Sequence, residues 1–185
     1  MRLFVAIELP DDLRRALAQV QERLARTVKA KWTAVEQFHL TVKFLGETAD
    51  SRLPSVVEHL NAVRLDEPIT LQTAGMVCFP PNGPIRIIAS ALNDIEGKCA
   101  RLQQAIDKVC HAAGFPLEGR RWTPHVTVGR VKDRAAGARA IVVAEKLPGL
   151  DFEVEEFLLM ESRLDQRGAT YNRVASFVNA ARRRA

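Results

Sequence analysis

The chain predicts an α+β fold of two related lobes, and three observations lead there. Two of its four histidines open the same pattern, His39-Leu40-Thr41-Val42 and His125-Val126-Thr127-Val128, while His59 and His111 do not. Each motif stands at nearly the same distance beyond an apolar, β-compatible run: 35 residues separate Phe4 from His39, and 38 separate Ile87 from His125. Between run and motif, each half carries apolar residues at helical spacing.

Taken in order, Arg2 to Leu9 reads as a strand, and Pro10, Asp11 and Asp12 supply a turn and acidic residues suited to a helix amino terminus. Leu13, Leu17, Val20 and Leu24 place one stripe against a sheet, with Arg14, Arg15, Gln21 and Glu22 facing water. A strand from His39 to Gly46 follows. The second half repeats the order, with a strand from Ile85 to Leu92 and a helix from Asp94 to Ala113. Ile95, Cys99, Leu102, Ile106 and Val109 form its stripe, Gly114 ends it, and a strand runs from His125 to Val131. A short helix over Leu53 to Val63, a strand over Ile69 to Val77 and a helix over Arg134 to Lys146, weakened by Gly137, fill in the rest. Two late strands, Phe152 to Glu161 and Thr170 to Val178, are joined by a turn over Asp165 to Gly168. The loop Cys78 to Pro84, rich in Pro and Gly, is expected to part the first lobe from the second. No low-complexity segment or linker interrupts the chain, so residues 1–185 are expected to form a single two-lobed domain with an internal duplication.

With 47% hydrophobic and 26% charged residues, the composition is that of an ordinary globular protein. The apolar run Leu3 to Leu9 is too short to span a membrane and has no signal-peptide pattern, so no membrane association is expected. Cys78, Cys99 and Cys110 have neither disulfide-framework nor zinc-site spacing, which points to a reducing, cytoplasmic home. A net charge of +5 favours anionic partners such as RNA. Arg182, Arg183 and Arg184 read as a solvated tail.

The duplicated motif carries the chemistry. With 9 threonines in 185 residues, two His-x-Thr coincidences among four histidines would arise by chance roughly 1–2% of the time. On a strand, residues i and i+2 share a face, so His39 joins Thr41 and His125 joins Thr127. Leu40, Val42 and Phe44, like Val126 and Val128, are expected to enter the core behind them. Two imidazoles titrating near neutrality can divide a proton-transfer cycle, one as base and the other as acid. Two hydroxyls beside them can hydrogen-bond the non-bridging oxygens of a phosphodiester, where negative charge develops. Neither motif has a third His, Cys or carboxylate at ligand spacing, so no metal is expected, and no nucleophilic-serine elbow is present. Alternation places Lys43 on the face of His39 and Thr41, within reach of the cleft, and points Arg130 away from it unless a bulge intervenes near Gly129. Trp32, Phe44, Trp122 and Tyr171 are candidates to stack a terminal base, with core packing the favoured role for Phe44.

These residues resemble the two-histidine phosphoesterases, specifically the RNA 2′,3′-cyclic phosphodiesterases also called 2′-5′ RNA ligases of the LigT type. The resemblance runs from Arg2-Leu3-Phe4-Val5-Ala6-Ile7-Glu8-Leu9-Pro10 through the block His39 to Gly46, Gly75 with Phe79-Pro80, and the block Trp122 to Arg130. It ends on Glu161-Ser162-Arg163-Leu164 with Gly168 and Tyr171. It implies two pseudo-symmetric lobes, each a mainly antiparallel sheet with outer helices, around a central cleft bearing both motifs. It also implies hydrolysis of RNA 2′,3′-cyclic phosphate ends to 2′-phosphates, with reversible 2′-5′ ligation in some members and no cofactor. By motif, His39 matches the proton donor and His125 the proton acceptor, with Thr41 and Thr127 completing the catalytic set and Lys43 and Arg130 as substrate-binding candidates. The expected partner is RNA ending in a cyclic phosphate, met by a monomer needing no protein partner. A small cyclic nucleotide as substrate, and a non-catalytic RNA-binding module, are the alternatives.

Overall fold

The computed structural model describes residues 1–65, 67–131, 137–165 and 168–178. Arg182, Arg183 and Arg184, the first turn of the expected Arg134 helix, and the centre of the turn after Asp165 lie outside them. Among the described residues the chain forms nine strands and four helices. In the first half come β1 (Arg2–Glu8), α1 (Asp11–Ala25), β2 (Lys31–Trp32), β3 (His39–Glu47) and α2 (Leu53–Asn61). Then follow β4 (Ile69–Phe79), β5 (Ile87–Asn93), α3 (Lys98–Ala112), β6 (His125–Arg130), α4 (Ala138–Ala144), β7 (Asp151–Val154), β8 (Glu156–Asp165) and β9 (Gly168–Val178).

The strands join in one antiparallel sheet in the order β7-β4-β5-β6-β3-β1-β8-β9, with β2 alongside β6. This is the expected α+β class, and its centre is the contact of the two motif strands, where Leu40 lies opposite Val126. On either side of that contact the neighbours correspond: β1 pairs with β3 as β5 pairs with β6, and Ala6 lies opposite Thr41 as Ala89 lies opposite Thr127.

The division of the sheet corrects two expectations. The loop after Cys78 does not separate the lobes, because β4 runs through Phe79 and forms a hairpin with β5 inside the second half. Nor is Phe152 to Glu161 one strand. β7 pairs with β4 at one end of the sheet, whereas β8 pairs with β1 in the other half, so the chain crosses back at Glu155. Phe152 and Val154 are buried in one half and Phe157, Leu158 and Leu159 in the other, and a continuous apolar run conceals such a crossing.

One face of the sheet is covered by helices. Leu13, Leu17, Val20 and Leu24 of α1 are all buried there, as the stripe predicts. α3 starts four residues later than expected, because the Asp94 carboxylate accepts the N–H groups of Cys99 (3.1 Å) and Ala100 (2.7 Å) from outside the helix. Ile95 therefore lies in the turn and is exposed instead of joining the stripe. The helices reach across the halves: α1 packs on β6, and α3 packs on β3 as well as on β4. The opposite face carries a small cluster, Phe4, Ala6, Leu158 and Met160 with Tyr171 against it. No helix among the described residues is long and apolar enough to cross a membrane.

Candidate active site

The two motifs meet where β3 and β6 touch. The strands are antiparallel about Leu40 and Val126, so His39 comes beside Thr127 and Thr41 beside His125, a crossed arrangement of two imidazoles and two hydroxyls on one face. Both imidazoles are oriented alike. Nδ1 of His39 donates to the Gln37 carbonyl (2.7 Å) and Nδ1 of His125 to the Thr123 carbonyl (2.8 Å), each two residues back. A carbonyl can only accept, so Nδ1 carries the proton in both rings and Nε2 is left for chemistry. His39 Nε2 lies 2.9 Å from Thr41 Oγ1. The small Ala6 opposite Thr41 leaves room for the His39 ring, which packs against Phe4 (5.0 Å between centroids) and the edge of Tyr171 (5.2 Å). His125 packs against Phe79 at 4.8 Å.

Both motif strands then bulge at the same place. Val5 and Ala6 of β1 face Lys43 and Thr41, skipping Val42, and Ile88 and Ala89 of β5 face Gly129 and Thr127, skipping Val128. A bulge reverses the alternation beyond it. Lys43 is thereby turned to the helix side, contrary to the expectation that it shares the cleft with His39. It is 4% exposed, and its ammonium is bonded to Asp107 of α3 and to the Pro116 carbonyl (2.8 Å). Phe44 and Arg130 are reversed the other way, onto the histidine face. Phe44 is 62% exposed, not in the core, and lies 6.1 Å from Phe4. The parity conflict at Arg130 is resolved in favour of the cleft. Gly129, the counterpart of Lys43, has no room for a side chain: a Cβ there would lie 2.8 Å from the Trp32 ring. Trp32 and Trp122 are partly buried against the helix-side core, and the Trp122 indole N–H donates to the Thr41 carbonyl (3.1 Å).

Burial lowers the pKa of His39 from its ordinary value, and the nearby charges of Arg14, His125 and Arg130 act in the same direction against the Gln37 carbonyl, which raises it. These effects hold the imidazole towards its neutral form. Burial pushes the Cys99 thiol up to about 12 and the Cys110 thiol up to about 11, which removes them as nucleophiles. Among the described residues no three His, Cys, Asp or Glu side chains gather at metal-ligating distance.

A family model for the 2′-5′ RNA ligase superfamily matches residues 9–166, a span holding both motif strands. The chain belongs to that superfamily. Among its relatives are proteins named RNA 2′,3′-cyclic phosphodiesterase. The one from Thermus thermophilus is 32% identical over 96% of this chain and 89% of its own, and the one from Methanocaldococcus jannaschii is 31% identical over 92% and 96%. Among solved structures, a protein of Thermus thermophilus matches with a TM-score of 0.78 at 28% identity, covering 96% of this chain and 97% of its own. Escherichia coli LigT complexed with NADP+ matches in fold with a TM-score of 0.76 at 19% identity over 96% of both chains.

Two residues of this superfamily member that the apolar pattern left facing water prove to be tied to the site. Arg14 bonds the carbonyls of Leu9 (3.0 Å) and Glu36 (3.1 Å), anchoring the approach to β3. Gln21 on α1 gives both amide hydrogens to carbonyls, those of Thr33 (2.8 Å) and of Val128, the bulged residue of β6 (2.9 Å). Val128 O also accepts the Thr33 N–H at 3.0 Å. Shifting the sequence by the interval that carries His39 to His125 carries Leu13, Leu17, Val20 and Leu24 onto Cys99, Gln103, Ile106 and Cys110, all buried. The same shift carries Gln21 onto Asp107. Each helix therefore uses one equivalent polar residue to fasten the motif strand of the other half at its bulge. Gln21→Ala is expected to lower kcat/KM about tenfold while costing only about 1–2 kcal/mol of stability. Gln21→Glu, of equal size but unable to donate twice, is expected to reproduce the loss. Steady-state kinetics beside thermal melts checks this, and a kcat/KM unchanged in both variants would remove Gln21 from any role at the site.

Proposed function

We propose that the protein opens terminal 2′,3′-cyclic phosphates of RNA to 2′-phosphates by acid and base catalysis from His39 and His125, with neither a metal nor a nucleotide cofactor. The observation carrying this reading is the crossed His-Thr pairs on one face, each imidazole with Nδ1 committed to a carbonyl. The names of the relatives support the substrate class. His125, neutral, takes a proton from water through Nε2 as the water oxygen bonds phosphorus. His39, protonated, gives its Nε2 proton to the 3′-oxygen as the P–O3′ bond breaks, leaving a 2′-phosphate and a 3′-hydroxyl. Thr41 and Thr127 donate to the non-bridging oxygens, and Arg130 adds a positive charge for the phosphate. With the 5′-hydroxyl of a second RNA in place of water, the same step joins a 2′-5′ linkage: His125 takes the hydroxyl proton as its oxygen bonds phosphorus, and His39 protonates the 3′-oxygen as P–O3′ breaks; in the reverse, cleaving direction the two rings exchange roles. In this reading the two halves act as one duplicated domain in a monomeric enzyme, and the three buried free thiols support a cytoplasmic, reducing setting.

Purified protein in excess chelator is expected to convert a cyclic-phosphate-terminated oligonucleotide to an end that resists a 3′-specific phosphatase. A 3′-phosphate product would contradict the leaving oxygen assigned here, and salt-sensitive RNA binding without turnover would point to a binding module. The acid role also requires phosphate to restore the proton that burial disfavours. The His39 imidazole is expected to titrate below the ordinary imidazole range in the free protein and to move upward when inorganic phosphate is added, as followed by NMR. A His39 midpoint indifferent to phosphate would exclude it from the phosphate site.

A further inference from the structure

The bulges give the two halves different residues at one corresponding position: Phe44 in the first, Arg130 in the second. Because β3 and β6 are antiparallel about Leu40 and Val126, β3 runs from His39 past Thr41 to Phe44 while β6 runs from His125 past Thr127 to Arg130 the opposite way. The two side chains flank the reaction centre on opposite sides. Everything between them is nearly symmetric: His for His, Thr for Thr, and Ala6 for Ala89 beneath. A nucleotide bearing a cyclic phosphate has no such symmetry, with a flat aromatic base on one side and a charged backbone on the other. Phe44 leaves 62% of its surface in water at this position, although a ring that size gains about 1.5–3 kcal/mol from full burial. Its other flank rests on Phe4, which is buried and in ring contact with His39, so the exposed ring is fixed relative to the imidazole.

We infer that Phe44 is the platform on which the base of the terminal nucleotide stacks, and that the contrast of Phe44 with Arg130 gives the near-symmetric site its direction. The inference rests on the cyclic phosphodiesterase reading above. Stacking on an aromatic face is tolerant of base identity, so all four terminal bases are accepted. The Glu8–Arg173 ion pair and Tyr171 line the hollow beside His39, to which Phe44 does not contribute.

The test compares kcat/KM for a nucleoside 2′,3′-cyclic phosphate with that for the cyclic phosphate of methyl riboside, which lacks the base. In Phe44→Ala the ratio of the two is expected to fall about ten- to hundredfold, and in Phe44→Trp it is expected to be kept. Equal losses on both substrates would assign Phe44 a structural role, and an unchanged ratio would place the base elsewhere; either overturns the inference. Failure of the wild-type protein to open either compound or a cyclic-phosphate-terminated oligonucleotide would instead overturn the phosphodiesterase reading on which it rests; were the oligonucleotide alone opened, the same ratio is read on oligonucleotides ending in a base-bearing or an abasic cyclic phosphate. Thermal melts of both variants confirm that an exposed position has been altered without loss of fold.

Discussion

Replacing His39 or His125 by alanine is expected to lower kcat for cyclic phosphate opening by about 10²–10⁴-fold, with the fold intact. Both side chains lie on the open face of the sheet and neither carries the helix-side core, so the loss is one of proton transfer and not of packing. The two variants are expected to part company on a p-nitrophenyl phosphodiester, whose leaving group departs without a proton. If His39 is the acid, His39→Ala recovers most of its deficit on that substrate while His125→Ala does not. The reverse pattern would exchange the two roles, and an equal deficit on both substrates would mean that neither ring acts as the acid. His39 is the ring whose pKa burial lowers, so its competence as an acid depends on the phosphate anion of the substrate beside it.

Lys43→Ala is expected to destabilise the protein by about 3 kcal/mol, a fall in Tm of roughly 6–12 °C. The change leaves the Asp107 carboxylate, itself only 13% exposed, without its cation and bonded, among the described residues, to the Glu118 N–H. It also opens space beneath the bulge at Val42. Removing both charges, in Lys43→Met with Asp107→Leu, is expected to recover most of the loss, because a buried pair replaced by apolar side chains of similar size no longer carries a desolvation cost. At temperatures where each variant is folded, KM is expected to stay within about twofold of the wild type. A tenfold rise in KM without a fall in Tm would return Lys43 to the cleft. Calorimetry and kinetics on the same preparations decide it.

What the sequence made legible follows from which physical rule each feature obeys. His39 with Thr41 and His125 with Thr127 could be paired because that step needs only alternation over two residues, before any irregularity intervenes. The stripe of α1 was readable because it has one buried side. Lys43, Phe44 and Arg130 were misplaced or left in conflict because they lie beyond a bulge, which alternation does not anticipate. A signal was present all the same. The buried residues fall at Leu40, Val42 and Leu45 in one copy and at Val126, Val128 and Val131 in the other, so the spacing changes from two to three in both. Gln21 was hidden for another reason. An amide on the edge of a helix stripe is indistinguishable from a solvated one until the carbonyls of Thr33 and Val128 are brought to it from distant parts of the chain. The crossing at Glu155 was equally hidden, since the apolar residues on its two sides serve different halves of the sheet.

The reach of each helix across the halves bears on how the molecule comes apart. Gln21 holds a strand of the second half from a helix of the first, and Asp107 holds a strand of the first from a helix of the second. Lifting either helix therefore loosens the motif opposite along with its own half. The amides of β3 and β6 should then share a single opening free energy in native-state hydrogen exchange, rising and falling together in any variant of α1 or α3. A chain cut between the halves would part each histidine strand from the helix that fastens its bulge, and mixing the two fragments is expected to bring both back into register.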